Sequence, residues 1–232
     1  MGYHYFQEIT IHDLRDEYIE TMYSQGFVFT RLKRGAMHQV RSVRVRLREF
    51  EPSSENRRVG EKSSEIFLDF FRLNEFPYHW SIGKLAKDFY EIKFGPGVMS
   101  ASKIKELFTQ PGKSNMNSVL VYNHGKTPVG YCLAFSSPQL LHYSYPFYQH
   151  PGFDPIQYKS LFNLNPPKIM GIAMMTKAIL WAKDNRKEFI YLGSIQDDKS
   201  LYKFQFKGTE WFDGEQWREG KPNWEEVERA GP

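Results

Sequence analysis

Cysteine is nearly absent: Cys132 is the only one in 232 residues. One thiol excludes an internal disulfide and any cysteine-cluster metal site, and a reducing cytoplasm is the natural compartment. No apolar run approaches the roughly 18 residues that a membrane-spanning helix needs. The start, Met-Gly-Tyr-His-Tyr-Phe-Gln-Glu, has no charged stretch followed by an apolar one, so no signal peptide is expected. Gly2 lacks the Ser or Thr at position 6 that myristoylation requires. The histidines (His4, His12, His38, His79, His124, His142, His150) are scattered without an i,i+4 pair on an expected helix, so no metal site is expected. Neither a Gly-x-Ser-x-Gly nor a Walker motif is present, which leaves the common hydrolase and NTPase readings without support.

Acidic residues are also missing from one stretch. Residues 31 to 48 hold Arg31, Lys33, Arg34, Arg41, Arg44, Arg46 and Arg48 and no Asp or Glu, on a chain whose net charge is only +4. Arg57 and Arg58 follow, and the last residues lean acidic through Glu219, Glu225, Glu226 and Glu228. A basic stripe on a nearly balanced chain points to an anionic partner. What is abundant is aromatic: 19 Phe, 14 Tyr and 5 Trp allow a bulky core.

The pattern divides the chain into an N-terminal basic α/β lobe over 1–62, a larger domain over 63–218 and a frayed acidic tail over 219–232. In the first lobe His12 to Tyr23 reads as a helix and Phe27 to Phe29 as a strand. Over Val40 to Phe50, Val43, Val45 and Leu47 alternate with Arg44, Arg46 and Arg48, the period of a half-buried strand. Pro52-Ser53-Ser54 turns into a short helix capped by Ser53 or Ser54. In the larger domain, Ser64 to Leu73, Trp80 to Phe89 and Ser102 to Phe108 read as helices. Ser118 to Tyr122 and Pro128 to Phe135 form a hairpin around Asn123-His-Gly125-Lys126. Leu140 to Tyr148 is an aromatic strand, and Pro151 to Pro167 is an irregular excursion. Gly171 to Asp184 is a helix with Ile172, Met175, Ile179 and Ala182 on one face. Phe189 to Leu192 is a buried strand, Leu201 to Phe206 a short helix, and Asp213-Gly214 turns a last hairpin between Trp211 and Trp217.

Two features carry chemistry. Lys168-x-x-Gly171-x-Ala173 opens a helix after a strand, and a helix start with small residues lets a phosphate approach free N–H groups. A close-packed Gly–Ala helix start fits the same residues. The arginine strand, Arg41 to Arg48, suits either phosphate contact or a solvated sheet face. Arg57 and Arg58 stand near a helix N-terminus, where an anion such as a substrate carboxylate would relieve them. Asp197-Asp198 reads best as a cap for the helix that follows.

The order of loop, helix, strand, helix and strand is that of the acyl-transferring half of the GNAT fold, whose loop is written Gln/Arg-x-x-Gly-x-Gly/Ala. The expected fold is therefore α/β (α+β), a GNAT-like mixed sheet flanked by helices with a small N-terminal lobe. Three blocks narrow the choice. They are Arg44-Val-Arg46-Leu-x-x-Phe50-x-Pro52-Ser53-x-x-Asn56-Arg57-Arg58-Val59, then Gly171 to Ala182, then Tyr191-Leu192-Gly193 with Tyr202-Lys203-x-x-Phe206-Lys207. Together they resemble the aminoacyl-tRNA–protein transferases, the arginyl and leucyl transferases of protein N-termini. The chain departs from that family in lacking its N-terminal cysteines, in Lys168-Ile-Met-Gly171 where Ser-Leu-Gly is usual, and in Gly208 where Pro is usual.

The resemblance implies transfer of Arg or Leu from aminoacyl-tRNA to the amine of an acceptor protein N-terminus, without a cofactor. It implies Tyr202 and Lys203 as catalytic residues. Lys168, Gly171 and Ala173 would serve the tRNA 3′ end, Arg57, Arg58 and Lys207 an anionic acceptor, and Arg41, Arg44, Arg46 and Arg48 the tRNA backbone. An acetyl-CoA-dependent GNAT enzyme and a non-catalytic RNA-binding relative are the alternatives.

Overall fold

The central strands of this chain are apolar on both faces, so each must be covered twice. The computed structural model describes residues 4–150, 168–223, 225 and 227. In chain order the elements are β1 (Gln7–Thr10), α1 (Asp16–Ser24), β2 (Phe27–Phe29), β3 (Ala36–Gln39), β4 (Ser42–Arg46), α2 (Ser54–Lys62), β5 (Ile66–Arg72), α3 (Trp80–Phe94) and α4 (Ala101–Thr109). Then come β6 (Ser118–His124), β7 (Thr127–Ser136), β8 (Leu140–Tyr148), α5 (Lys168–Asp184), β9 (Phe189–Ser194), a 3₁₀ helix over Asp198–Gln205, β10 (Thr209–Phe212) and β11 (Trp217–Glu219).

Eight strands form the main sheet in the order β11-β10-β4-β9-β8-β7-β6-β5, and β1-β3-β2 form a small second one. All neighbours in the main sheet are antiparallel except β8 and β9, which are parallel and joined through α5. A parallel pair with its helix inside an otherwise antiparallel sheet is the GNAT-like arrangement.

α5 covers one face. Its Trp181 stacks on Phe70 at 4.4 Å, and the Tyr122 hydroxyl donates to the Met174 carbonyl at 3.0 Å. The helix can sit this close because Gly130 lies beneath it: a Cβ there would be 3.0 Å from the Met174 sulfur. On the other face Tyr23 of α1 packs on Phe135, His142 and Tyr191, while Phe76 bridges Phe108 of α4 to Tyr131.

The first 62 residues divide between the two sheets. β1, β2 and β3 make the outlying one, but β4 lies between β9 and β10 in the main sheet. Tyr23 ties the two together. Its hydroxyl sits 2.9 Å from His142 Nδ1 and accepts from the Phe29 N–H at 3.2 Å. Burial lowers the His142 pKa to about 3, so the ring is neutral and Nδ1 can accept the phenol proton.

Three expectations are corrected. Ser64 to Leu73 is not a helix, because Ile66–Arg72 is the edge strand β5, paired along its length with β6. Its burial alternates, with Ile66 buried, Leu68 and Phe70 half-buried and Phe67 and Asp69 exposed, and aromatic side chains suit a pleated surface. The arginine face of β4 is not solvated. Arg41 and Arg44 are buried, and Arg44 lies opposite Glu210 of β10 and Tyr191 of β9. The tail does not fray throughout, since Glu219 pairs with Glu210 in the β10–β11 hairpin and Val227 is fully buried against Val43, Ile195 and Trp211.

The Arg44 guanidinium shows why β4 can be central. Its Nε donates to Glu210 Oε2 at 2.8 Å, and its plane lies between the rings of Trp217 at 3.7 Å and Phe189 at 4.0 Å. Arg46 donates to the other oxygen of the same carboxylate. Glu210→Ala is expected to destabilise the protein by about 3–5 kcal/mol in urea unfolding, because it strands a buried cation, whereas Arg44→Met with Glu210→Leu should recover most of that loss. A single variant within about 1 kcal/mol of wild type would show that the pair does not hold the sheet.

Candidate active site

β8 and β9 run together for only three residue pairs: Leu140 with Phe189, Leu141 with Ile190, His142 with Tyr191. After that the strands part. On the β7 side the register shifts, Ala134 facing Tyr143 and Leu133 facing Tyr145, so Ser144 is an extra residue. Such a bulge bends its strand and increases its twist. Pro146 then has no N–H to offer any neighbour. β9 turns away at Gly193, whose φ of +83° is open to glycine at no steric cost. The carboxyl ends of the two parallel strands thus frame an opening, the usual place for a ligand in sheets of this kind.

α5 begins at this opening. The N–H groups of its first turn have no partners within the helix, and the helix dipole favours negative charge there. Gly171 lies against Tyr148: a Cβ on it would be 3.5 Å from the Tyr148 hydroxyl. Ala173 is buried in the packed face of the helix. The Lys168 side chain and the excursion over 151–167 lie outside the described residues.

Four phenols, those of Tyr122, Tyr143, Tyr148 and Tyr202, gather in front of α5. The Tyr122 hydroxyl is committed to Met174. The Tyr143 hydroxyl is buried beside that of Tyr122, whose pKa it lowers as a hydrogen-bond partner. Burial raises its pKa well above the usual phenol value, and the neighbouring Tyr122, Cys132, Tyr202 and Tyr148 raise it further. Tyr143 therefore stays neutral, with its hydroxyl set against the Tyr122 oxygen behind it. Tyr202 comes from the 3₁₀ helix on the other side of the opening and is 47% exposed.

Lys203 sits behind Tyr202. It is buried, and its Nζ donates to the Ser194 carbonyl at 2.6 Å, closing the end of β9. Gly193 leaves room for it, since a Cβ there would be 3.7 Å from Nζ. Burial lowers the Lys203 pKa to about 8, partly opposed by Asp197. Asp197 is the cap of the 3₁₀ helix, its carboxylate accepting from the Ser200 N–H at 3.0 Å.

The fold thus brings Gly171, Tyr202 and Lys203 to one place. It sends the other sequence candidates elsewhere. Lys183, in the last turn of α5, donates to the Phe50 carbonyl, and Phe50 packs on Phe206. Lys207, paired with Glu51 at 2.8 Å, therefore belongs to the far end of a helix roughly 25 Å long. Arg58 is held by both oxygens of Glu55, and Arg57 donates to the Pro52 carbonyl at 2.7 Å. Of the β4 arginines, Arg41 and Arg44 are buried, Arg46 serves Glu210 and Glu49, and Arg48 points to solvent with its side chain 72% exposed. Sequence reading missed Tyr122, Tyr143 and Tyr148. The aromatic richness of Leu140 to Tyr148 was visible, but the bulge at Ser144 resets which residues share a face. Among the described residues no three His, Cys, Asp or Glu side chains converge on a metal-sized site, and no helix is long and apolar enough to cross a membrane.

Lys203 makes a pH-dependent contribution of definite sign. Its folded pKa, about 8, lies below the roughly 10.4 of an unfolded lysine. Below pH 8 both states carry the proton and folding bears the whole cost of burying the ammonium. As pH rises through 8 towards 10.4, the folded state loses its proton first and that cost disappears. Wild type should therefore gain about 3 kcal/mol on Lys203→Met between pH 7 and pH 10.5, read from urea midpoints of both proteins. A difference that is flat with pH would mean that Lys203 is solvated.

No protein-family model matches this sequence, and no curated protein matches it. Among solved structures, the chain is similar to the C-terminal domain (DUF2156) of a lysylphosphatidylglycerol synthetase candidate from Agrobacterium fabrum. The TM-score is 0.47 at 8% identity, covering 80% of this chain and 54% of that one. It is similar also to L-PGS from Bacillus licheniformis, with a TM-score of 0.43 at 11% identity, covering 77% of this chain and 51% of that one. The chain spans about half the length of either structure.

Proposed function

We propose that this protein is an aminoacyltransferase that takes its acyl group from charged tRNA and passes it to an amine, the N-terminal amine of a protein being the acceptor. One observation carries the reading: the opening between β8 and β9 has a helix N-terminus, a buried neutral phenol and a half-exposed phenol around it. An ester carbonyl held there meets donors on one side and solvent, with the acceptor, on the other. That the donor is aminoacyl-tRNA rests on the resemblance carried by the Phe50 to Val59 and Tyr191 to Lys207 blocks.

The chemistry asks little of the protein. The amine nitrogen attacks the ester carbon, a C–N bond forms, and the carbonyl oxygen gains charge. The C–O bond to the ribose then breaks, the ribose oxygen leaves with the electron pair and takes a proton, and the nitrogen gives one up. No acid or base is consumed overall. A terminal amine has a pKa near 8, so a useful fraction is neutral at physiological pH. Positioning and stabilisation of the developing oxyanion can then supply most of the rate. Tyr143, a buried neutral phenol that can turn its proton from Tyr122 to the substrate, is suited to the oxyanion. Tyr202, at the mouth, is suited to the departing ribose oxygen. Lys203, turned to the Ser194 carbonyl, fixes the end of β9 on which Tyr202 depends and is a positioning residue in this scheme.

The test is transfer of labelled Arg or Leu from charged tRNA to peptides with acidic or basic N-termini. Label should appear on peptide, and Tyr143→Phe and Tyr202→Phe should each lower the rate about a hundredfold with the fold intact by circular dichroism. The start of α5 would also suit the pyrophosphate of an acyl-CoA. Acetyl transfer from acetyl-CoA, with none from any charged tRNA, would replace the present reading with that one.

A further inference from the structure

The basic stretch that the sequence placed on β4 is divided by the fold, and its exposed part lies elsewhere. The loop after β2 carries Arg31, Lys33 and Arg34. It is pinned to the segment between α3 and β6. Asn115 accepts from the Gly35 N–H at 2.6 Å and donates to the carbonyls of Thr30 at 2.9 Å and Lys33 at 2.8 Å. Arg34 donates to the Pro111 carbonyl at 2.6 Å, and Arg31 meets the Met99 sulfur at 3.6 Å. These contacts bring the loop beside Lys103, Lys105 and Lys113. Six cations meet one acid, because residues 26–39 and 95–117 together contain Glu106 and no other carboxylate. Lys103 holds Glu106 at 2.6 Å, and Lys113 lies near enough to lower its pKa as well. Of the acids before the loop, Glu20 accepts from the Ser137 hydroxyl and the Gln139 N–H, and Asp13 is held by Arg15. Lys33, Arg34, Lys105 and Lys113 are exposed.

The position of this patch relative to the opening matters. Arg31 abuts Tyr145, whose pKa burial raises and Arg31 partly brings back down. Tyr145 stands on the part of β8 that has lost its β9 partner, opposite Leu133 and so on the face of Tyr131 and Phe147, away from α5, and the patch meets the gap between β8 and β9 from that face. A chain of phosphates crossing the patch would bring its end to the gap between β8 and β9.

We propose that Arg31, Lys33, Arg34, Lys105 and Lys113 form the surface that binds the sugar–phosphate backbone of RNA, next to the opening that receives its acylated end. This rests on the donor proposed above and assigns its backbone to a face that the β4 arginines do not reach. Phosphate rather than a protein partner suits the patch because its cations come from two segments, residues 26–39 and 95–117, in which Leu32 alone is an exposed large apolar side chain. Contacts of this kind release counterions and weaken steeply with salt.

The test is fluorescence anisotropy of labelled, deacylated tRNA at several salt concentrations. Wild type should bind with a steep negative slope of log K against log salt. Lys33→Glu with Lys113→Glu should lower affinity at least tenfold near 0.1 M salt and make the slope shallower by about two. Lys62→Glu with Lys126→Glu carries the same charge change on exposed lysines away from the patch and should stay within twofold of wild type. Equal losses in both double variants would reduce the effect to net charge and overturn the patch. Wild-type affinity in the Lys33/Lys113 variant would overturn it too, and if wild type still transferred amino acid from charged tRNA, the patch alone would fall. Binding of wild type to phosphatidylglycerol vesicles but not to tRNA would also overturn it.

Discussion

Where β8 leaves β9, after the His142–Tyr191 pair, the main sheet gives up backbone pairing in its interior. Buried backbone groups without partners are expensive, so such a gap persists only if something holds both strands apart. Here the bulge at Ser144 bends β8, and Lys203 fastens the end of β9 through the Ser194 carbonyl. The start of α5, the phenols of Tyr143 and Tyr148 and the approach of Tyr202 all take their places from that divergence. If the strands ran on together, α5 would begin over a closed sheet and its first N–H groups would face side chains.

The same sheet needs a rigid flank, and β4 provides it by an unusual route. A central strand carrying Arg44 buries a charge, and the cost is offset by the Glu210 carboxylate and by two aromatic faces. Trp217 belongs to β11 and Phe189 to β9, so one guanidinium fixes the lateral order of four strands, β9, β4, β10 and β11. Tyr191, the residue where parallel pairing ends, also receives a hydrogen bond from Arg44 at 3.3 Å. The mouth of the site is thus braced by a charge pair that takes no part in its chemistry.

Much of this was legible in the sequence, and what was not has physical causes. The Asp213-Gly214 hairpin, the Asn123–Lys126 turn, the Ser53 cap and the α5 helix follow from local rules, because turn and cap residues act on their immediate neighbours. Tyr202, Lys203 and Gly171 were singled out and do come together. The β5 segment was misread because five aromatic or branched residues in a short run satisfy both periods. The arginines of β4 were read as facing solvent because alternation shows which residues share a face, not whether another layer covers it. Tyr143 could not have been found from periodicity at all, since the extra residue at Ser144 changes the parity of the strand midway.

The fate of the basic residues follows from the same reasoning. Charge along a sequence says how many cations there are. Pairing in space says how many remain for a partner. On β4 the carboxylates of Glu210 and Glu49 meet Arg44 and Arg46, and on α2 Glu55 meets Arg58. In the loop after β2 no carboxylate lies within the segment itself, and the Asn115 amide organises the backbone without neutralising any side chain. Only an amide can both accept from the Gly35 N–H and donate to the Thr30 and Lys33 carbonyls, so the loop is held by a neutral residue and the positive charge is left facing outward. The electrostatic footprint of the protein is therefore set by where the fold spends its carboxylates, and it falls beside the part of β8 that the parallel pairing leaves open.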